Sequence, residues 1–176
     1  VSEAIGLALP LSSALPAPYT DRDGYAVASG EVVMQLLEKN LRPRDICTRE
    51  AFENAAIVVA ATGGSTNAAL HLPAMAHECG VKFDLEDVAK IFQKTPYIAN
   101  LKPGGDYVAK DFGEAGGVPM LMNTSFNLAN MPIVESQLKL TISSPICSGR
   151  WAVASSGSIP SMARGSERPR PRLERT

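Results

Sequence analysis

The sequence predicts a helix-rich α/β fold, and three observations carry that expectation. Between residues 29 and 95, apolar residues recur at helical spacing in four segments, separated by Gly, Pro or capping residues. Hydrophobic residues make up 45% of the 176 and charged residues 20%, the balance of a chain able to bury one core. One apolar stretch, Pro96-Tyr97-Ile98-Ala99-Asn100-Leu101, has the length of a short strand.

Taken in order, VSEAIGLALP reads as a chain entered in mid-helix, with no start methionine and no basic leader, so a fragment is expected. Residues 10–23 hold three prolines and many small residues and read as an extended loop. Ser29 is placed to cap a helix whose Val32, Val33, Leu36 and Leu37 share a face. Thr48 is placed to cap the next, about Ala51–Ala61, which is apolar almost all round and therefore expected to be buried.

Gly63-Gly64 breaks that helix, and Ser65 or Thr66 starts another carrying Leu70, Leu72, Met75 and Ala76 as far as Gly80. Asp84 with Asp87 three residues on resembles a capping box for a helix to about Thr95. A turn at Lys102–Asp106, a short helix over about 107–115 and a further helix from Val118 complete the legible part. From Asn123 no period is sustained. From Ser148 onward, six arginines and two glutamates among Ser, Gly and Pro predict a disordered tail.

A net charge of −1 gives no argument for nucleic acid. No apolar run approaches the length of a membrane span. Cys47, Cys79 and Cys147 are too few and too scattered for a disulfide framework and fit a reducing compartment.

The best candidate site is Gly63-Gly64-Ser65-Thr66-Asn67. Glycines let a backbone approach a ligand closely. A helix that opens at Ser65 or Thr66 presents unpaired N–H groups and the positive end of its dipole, which suits a carboxylate or phosphate. There is no Gly-Lys-Ser/Thr and no GxGxxG. The residues alone leave two uses open, a capped turn and an anion loop. His71 and His77 are six apart and share no ligand face, and no zinc-type cluster is present. Asp84, Glu86 and Asp87 read as a cap, Asp21-Arg22-Asp23 as a solvated loop, and Lys102–Asp106 as a plain turn.

Four blocks are similar to consecutive stretches of the dihydroxy-acid dehydratase family, which includes 6-phosphogluconate and sugar-acid dehydratases. They are EAIGLALPLSSALPA, RPRDICTREAFENA, ATGGSTNAALHLPAMAHECGV and TPYIANLKPGGDYVAKDFGEAGGVPML. The resemblance covers about residues 2–122, as the helix-rich second half of the family's N-terminal α/β domain. Residues 123–176 fall outside it and read like a shifted frame.

The resemblance implies loss of water from a 2,3-dihydroxy acid to give a 2-keto acid. It also implies an iron–sulfur cluster and Mg2+, whose family ligands do not map onto this chain, and a C-terminal β-barrel domain that is missing here. No residue of this chain takes a catalytic or metal-ligating role by it. Gly63, Gly64, Ser65, Thr66 and Asn67 are expected to border the active-site cleft and help seat the substrate. The small-molecule partner is a dihydroxy acid of branched-chain amino-acid synthesis. The alternatives are a sugar acid such as arabinonate, or a non-catalytic fragment with only a binding or assembly role. A cytoplasmic homodimer or homotetramer is implied for the whole protein. For the isolated chain, the expectation is no cluster, no turnover and low solubility.

Overall fold

A computed structural model describes residues 1–129. Within them the backbone is helical, in the order α1 (Ser2–Ile5), α2 (Asp21–Glu38), α3 (Pro43–Ile46), α4 (Arg49–Ala61), α5 (Thr66–Glu78), α6 (Leu85–Lys94), α7 (Ala109–Glu114) and α8 (Gly117–Ala129). The expected reading-frame change after Met122 and the expected disorder from 148 fall largely or wholly outside these residues.

The core is built around α4, which packs against α1, α5, α6 and α8. Its sequence explains this. Ala51, Ala55, Ala56 and Ala61 are completely enclosed (0% exposed), and side chains this small let neighbours approach on several sides. Phe52 supplies the bulk and stacks on Phe83, with ring centroids 5.9 Å apart. Ile5 from α1, Leu72 and Ala76 from α5, Val88 from α6, and Val118 and Leu121 from α8 close around it. The expectation of a buried second helix is met. So is its cap, since Thr48 Oγ1 accepts the Ala51 N–H at 3.3 Å.

Several expectations are corrected. Helix α2 begins at Asp21, not at Ser29, so Asp21-Arg22-Asp23 is a helical first turn. Two acidic residues there complement the positive end of the dipole, and the proline-rich stretch ends at Pro18. Ser29 sits inside the helix and donates to the Tyr25 carbonyl at 2.7 Å. In α5 the buried residues are Ala68, Leu72 and Ala76, while Leu70 is exposed. Pro96–Leu101 forms no strand. The Ile98 and Ala99 N–H groups both donate to the Ala61 carbonyl at 2.9 Å, so the segment is tied to the end of a helix instead of to a neighbouring strand. Among the described residues the one β pairing is an isolated bridge between Leu101 and Tyr107.

The loop before α2 is organised by a buried carboxylate. Glu3 accepts the Leu11 N–H at 2.6 Å and the Ser13 N–H at 3.3 Å, and it also accepts the Ser13 hydroxyl. A buried charge without such donors would be costly, so this network holds residues 11–13 against α1.

Candidate functional site

The turn between α4 and α5 is where the sequence and the geometry meet. Thr62 ends α4, its hydroxyl donating to the Val58 and Val59 carbonyls at 2.8 and 3.0 Å. Gly63 and Gly64 then both take positive φ, 100° and 73°, a pair of left-handed residues that reverses the chain. The Gly64 N–H donates back to the Val59 carbonyl at 2.8 Å. Ser65 is extended and caps α5, its Oγ accepting the Asn67 N–H at 3.2 Å. Of the two possible starts, Ser65 is therefore the cap and Thr66 the first helical residue.

This turn forms one wall of a cleft of about 740 Å3. Gly63, Gly64, Ser65 and Thr66 line it on the α4–α5 side, and Leu85, Val88 and Phe92 of α6 with Tyr97 line it on the other. Asn67 is exposed and is not part of the lining. The structure thus brings four of the five expected residues to one cleft. The cleft is predominantly apolar, with the hydroxyls and the α5 N-terminus as its polar edge. The lining residues Leu85, Val88, Phe92 and Tyr97 escaped sequence reasoning. Their signal was present only as the apolar face of α6 and an aromatic in a supposed strand.

The other candidates do not converge. His71 and His77 are both exposed on α5, and among the described residues no three His, Cys, Asp or Glu side chains come together to hold a metal ion. Cys47 is buried, and that burial, with the neighbouring Cys79 thiol, pushes it up to about 11. Asp84 and Asp87 form the expected capping box, with Asp84 Oδ1 accepting the Asp87 N–H at 3.0 Å and Asp87 Oδ2 the Asp84 N–H at 3.1 Å. Lys102–Asp106 is a tight turn with a cis Lys102–Pro103 bond, buttressed by Asn100 Nδ2 donating to Asp106 at 3.0 Å.

Comparison with known proteins gives the family of the chain. The family described as dihydroxy-acid/6-phosphogluconate dehydratase N-terminal matches residues 1–138. The chain belongs to that family. A dihydroxy-acid dehydratase of Pelagibacter ubique is 71% identical over 127 residues, which are 72% of this chain and 22% of that protein. Dihydroxy-acid dehydratase 2 of Bradyrhizobium diazoefficiens is 70% identical over 124 residues, 70% of this chain and 22% of the relative. A more distant dihydroxy-acid dehydratase, from Sulfurisphaera tokodaii, is 52% identical over 122 residues, 69% of this chain and 22% of the relative. The chain therefore spans about a fifth of the length of the curated relatives it matches, and the four quoted blocks lie within the family match.

Proposed function

We propose that this chain works as part of a dihydroxy-acid dehydratase, a hydro-lyase that converts a 2,3-dihydroxy acid into a 2-keto acid. In that reaction C2 loses a proton and C3 its hydroxyl, and the resulting enol tautomerises to the ketone. Identity of about 70% to proteins named for this activity carries the reading.

Within it, the α4–α5 turn seats one end of the substrate. The α5 N-terminus offers the positive end of a helix dipole, and Ser65 and Thr66 offer hydroxyls beside two glycines that leave the backbone accessible. The apolar wall of Leu85, Val88 and Phe92 across the cleft suits an alkyl group, which favours a branched-chain dihydroxy acid over a sugar acid.

The family's iron–sulfur cluster and magnesium would supply Lewis-acid chemistry at the leaving hydroxyl and the carboxylate. Among the described residues no three His, Cys, Asp or Glu side chains come together, so these residues alone assemble no ligand set for either group. On this reading the chain contributes a helical layer of an α/β domain, and the rest of the enzyme, including a β-barrel domain, supplies the metals and the base. The enzyme is a cytoplasmic homodimer or homotetramer.

The test uses a full-length relative carrying the substitutions at the positions of Ser65 and Thr66. Thr66→Ala is expected to raise KM or lower kcat about tenfold with little change in melting temperature. Ser65→Ala is expected to do the same with an added loss of the helix cap. Wild-type kinetics in both variants would reduce the turn to a structural element.

A further inference from the structure

We infer that Cys47 and Cys79 are a redox pair, reduced at rest and joined into a disulfide when the chain meets a peroxide. The two residues are 32 apart in sequence and come together through the fold. α4 and α5 are each 13 residues long and are joined by a short turn at 62–65. They pack on each other, with Ala68, Leu72 and Ala76 of α5 among the residues enclosed around α4. Two helices of equal length, folded back through a tight turn, bring their far ends together. Cys47 stands two residues before the first residue of α4, and Cys79 directly follows the last of α5. The open end of the hairpin, opposite the Gly63–Ser65 turn, is therefore flanked by two thiols.

The side chains meet there. The Cys47 and Cys79 thiols share a hydrogen bond, and Cys79 packs against the core cluster that contains Cys47. Both backbones are fixed. The Cys47 N–H donates to the Pro43 carbonyl at 3.0 Å, and the Cys79 N–H to the Met75 and Ala76 carbonyls at 3.0 and 3.1 Å. A buried cysteine without a sulfur neighbour acts as a small apolar side chain. Two thiols in contact, one of them reaching solvent, meet the requirement of reversible oxidation. Such a pair agrees with a chain whose sparse cysteines form no disulfide framework, because a redox-sensing pair is reduced until an oxidant arrives.

The two environments divide the chemistry. Cys79 is half-buried and is the thiol an oxidant can reach, whereas Cys47 is enclosed and pushed up to about 11. The Cys79 thiolate attacks one peroxide oxygen and the O–O bond breaks. The departing hydroxide takes up the proton that Cys79 released and leaves as water, and Cys79 becomes a sulfenic acid. The Cys47 sulfur then attacks the Cys79 sulfur and the S–OH bond breaks. That hydroxide leaves as a second water with the Cys47 proton. Two thiols and one peroxide thus give one disulfide and two waters, the sulfurs losing the two electrons that the peroxide gains. Contact between the sulfurs favours this closure over further oxidation of the sulfenic acid. The inference stands independently of the substrate reading.

The experiment uses the 176-residue chain with Cys147→Ser, which keeps only these two thiols. It is reduced, freed of reductant, treated with a few equivalents of hydrogen peroxide, blocked with iodoacetamide and digested with trypsin. The two cysteines fall on separate tryptic peptides, 45–49 and 50–82. These are expected to appear linked within one chain, two hydrogens lighter than their sum, and to be released by dithiothreitol. Linking is expected to be at least about tenfold faster in the folded chain than in urea. Cys47→Ser is expected to stop at the Cys79 sulfenic acid, captured by dimedone. If Cys47→Ser fails to fold, the linked peptide and its urea comparison decide. Unlinked peptides, with Cys79 carried on to the sulfinic acid, overturn the proposal. So does linking at an equal rate in urea, which assigns it to chance encounter in an unfolded chain, and so does a link found only between two chains.

Discussion

Arg49 and Asp87, 38 residues apart in sequence, meet through two hydrogen bonds, Nη2 to Oδ1 at 3.0 Å and Nη1 to Oδ2 at 3.3 Å. The same guanidinium donates to the Lys82 carbonyl at 2.6 Å and to Glu53 at 2.9 Å, and it lies over the Phe83 ring at 5.7 Å. Asp87 also accepts the Asp84 N–H in the α6 capping box. One carboxylate therefore ties the start of α6 to the start of α4.

The Asp87 carboxyl is held below its usual range, first by the Arg49 guanidinium and then by the Asp84 N–H. A carboxyl depressed in the folded state stabilises fully above its unfolded value of about 3.9, and that stabilisation is lost as pH falls through the lower folded value. Asp87→Asn is expected to cost about 1–2 kcal/mol near neutral pH, from the loss of a cap partner and a partly screened ion pair. Urea denaturation from pH 2 to 7 should show the difference between wild type and variant shrinking below about pH 4. A difference that stays constant across that range would assign the loss to shape rather than charge.

The two described cysteines should differ sharply in reactivity. Cys47 is buried and pushed up to about 11, while Cys79 is half-buried at the end of α5. Only the thiolate is nucleophilic, so iodoacetamide at pH 8 is expected to label Cys79 well before Cys47. Raising the pH toward 10 should accelerate Cys47 about tenfold for each pH unit, as its small thiolate fraction grows. Peptide mass mapping over time reads both rates, and equal labelling at pH 8 would contradict the buried placement of Cys47.

Much of this helical frame was legible in the sequence because its signals are local. Thr48, Ser65 and the Asp84–Asp87 box each act within one turn, and they cap where their spacing says they should. Gly63 and Gly64 announced a break for the same reason. What failed was non-local. Pro96–Leu101 looked like a strand because it is extended and apolar, but its donors go to Ala61, 37 residues from Ile98. Leu70 is apolar yet exposed, and only the packing of α5 on α4 shows that Ala68, Leu72 and Ala76 face inward. The turn at the site was readable, whereas the α6 wall facing it depends on tertiary placement through Arg49, which carries no motif.

Gly105 is set by close approach rather than by φ. A Cβ there would stand 2.2 Å from Asn100 Oδ1 and 2.4 Å from the Asn100 carbonyl carbon and oxygen. Two of these atoms are backbone, so the contact cannot be relieved by a rotamer. Gly105→Ala is expected to cost about 1–3 kcal/mol and to displace the turn. The Asp106 and Tyr107 N–H groups, which donate to the Asn100 carbonyl at 3.1 and 3.0 Å, should exchange faster with deuterium in the variant. Unchanged exchange at both amides would show that the turn accommodates the methyl.

Gly63 combines both constraints, and its two parts can be separated. Its φ of 100° is costly for any residue with a Cβ, and a Cβ there would lie 3.1 Å from Tyr97 Cε2. Gly63→Ala is expected to destabilise by about 1–2 kcal/mol, summing backbone strain and ring contact. Tyr97→Ala removes the ring but leaves φ as it is, so the double variant should recover the steric part and keep the strain. A double-mutant cycle by thermal denaturation measures the coupling, expected at about 0.5–1 kcal/mol in the relieving direction. Zero coupling would mean that the ring swings aside without cost, and Tyr97 would then be a mobile wall of the cleft rather than a fixed one.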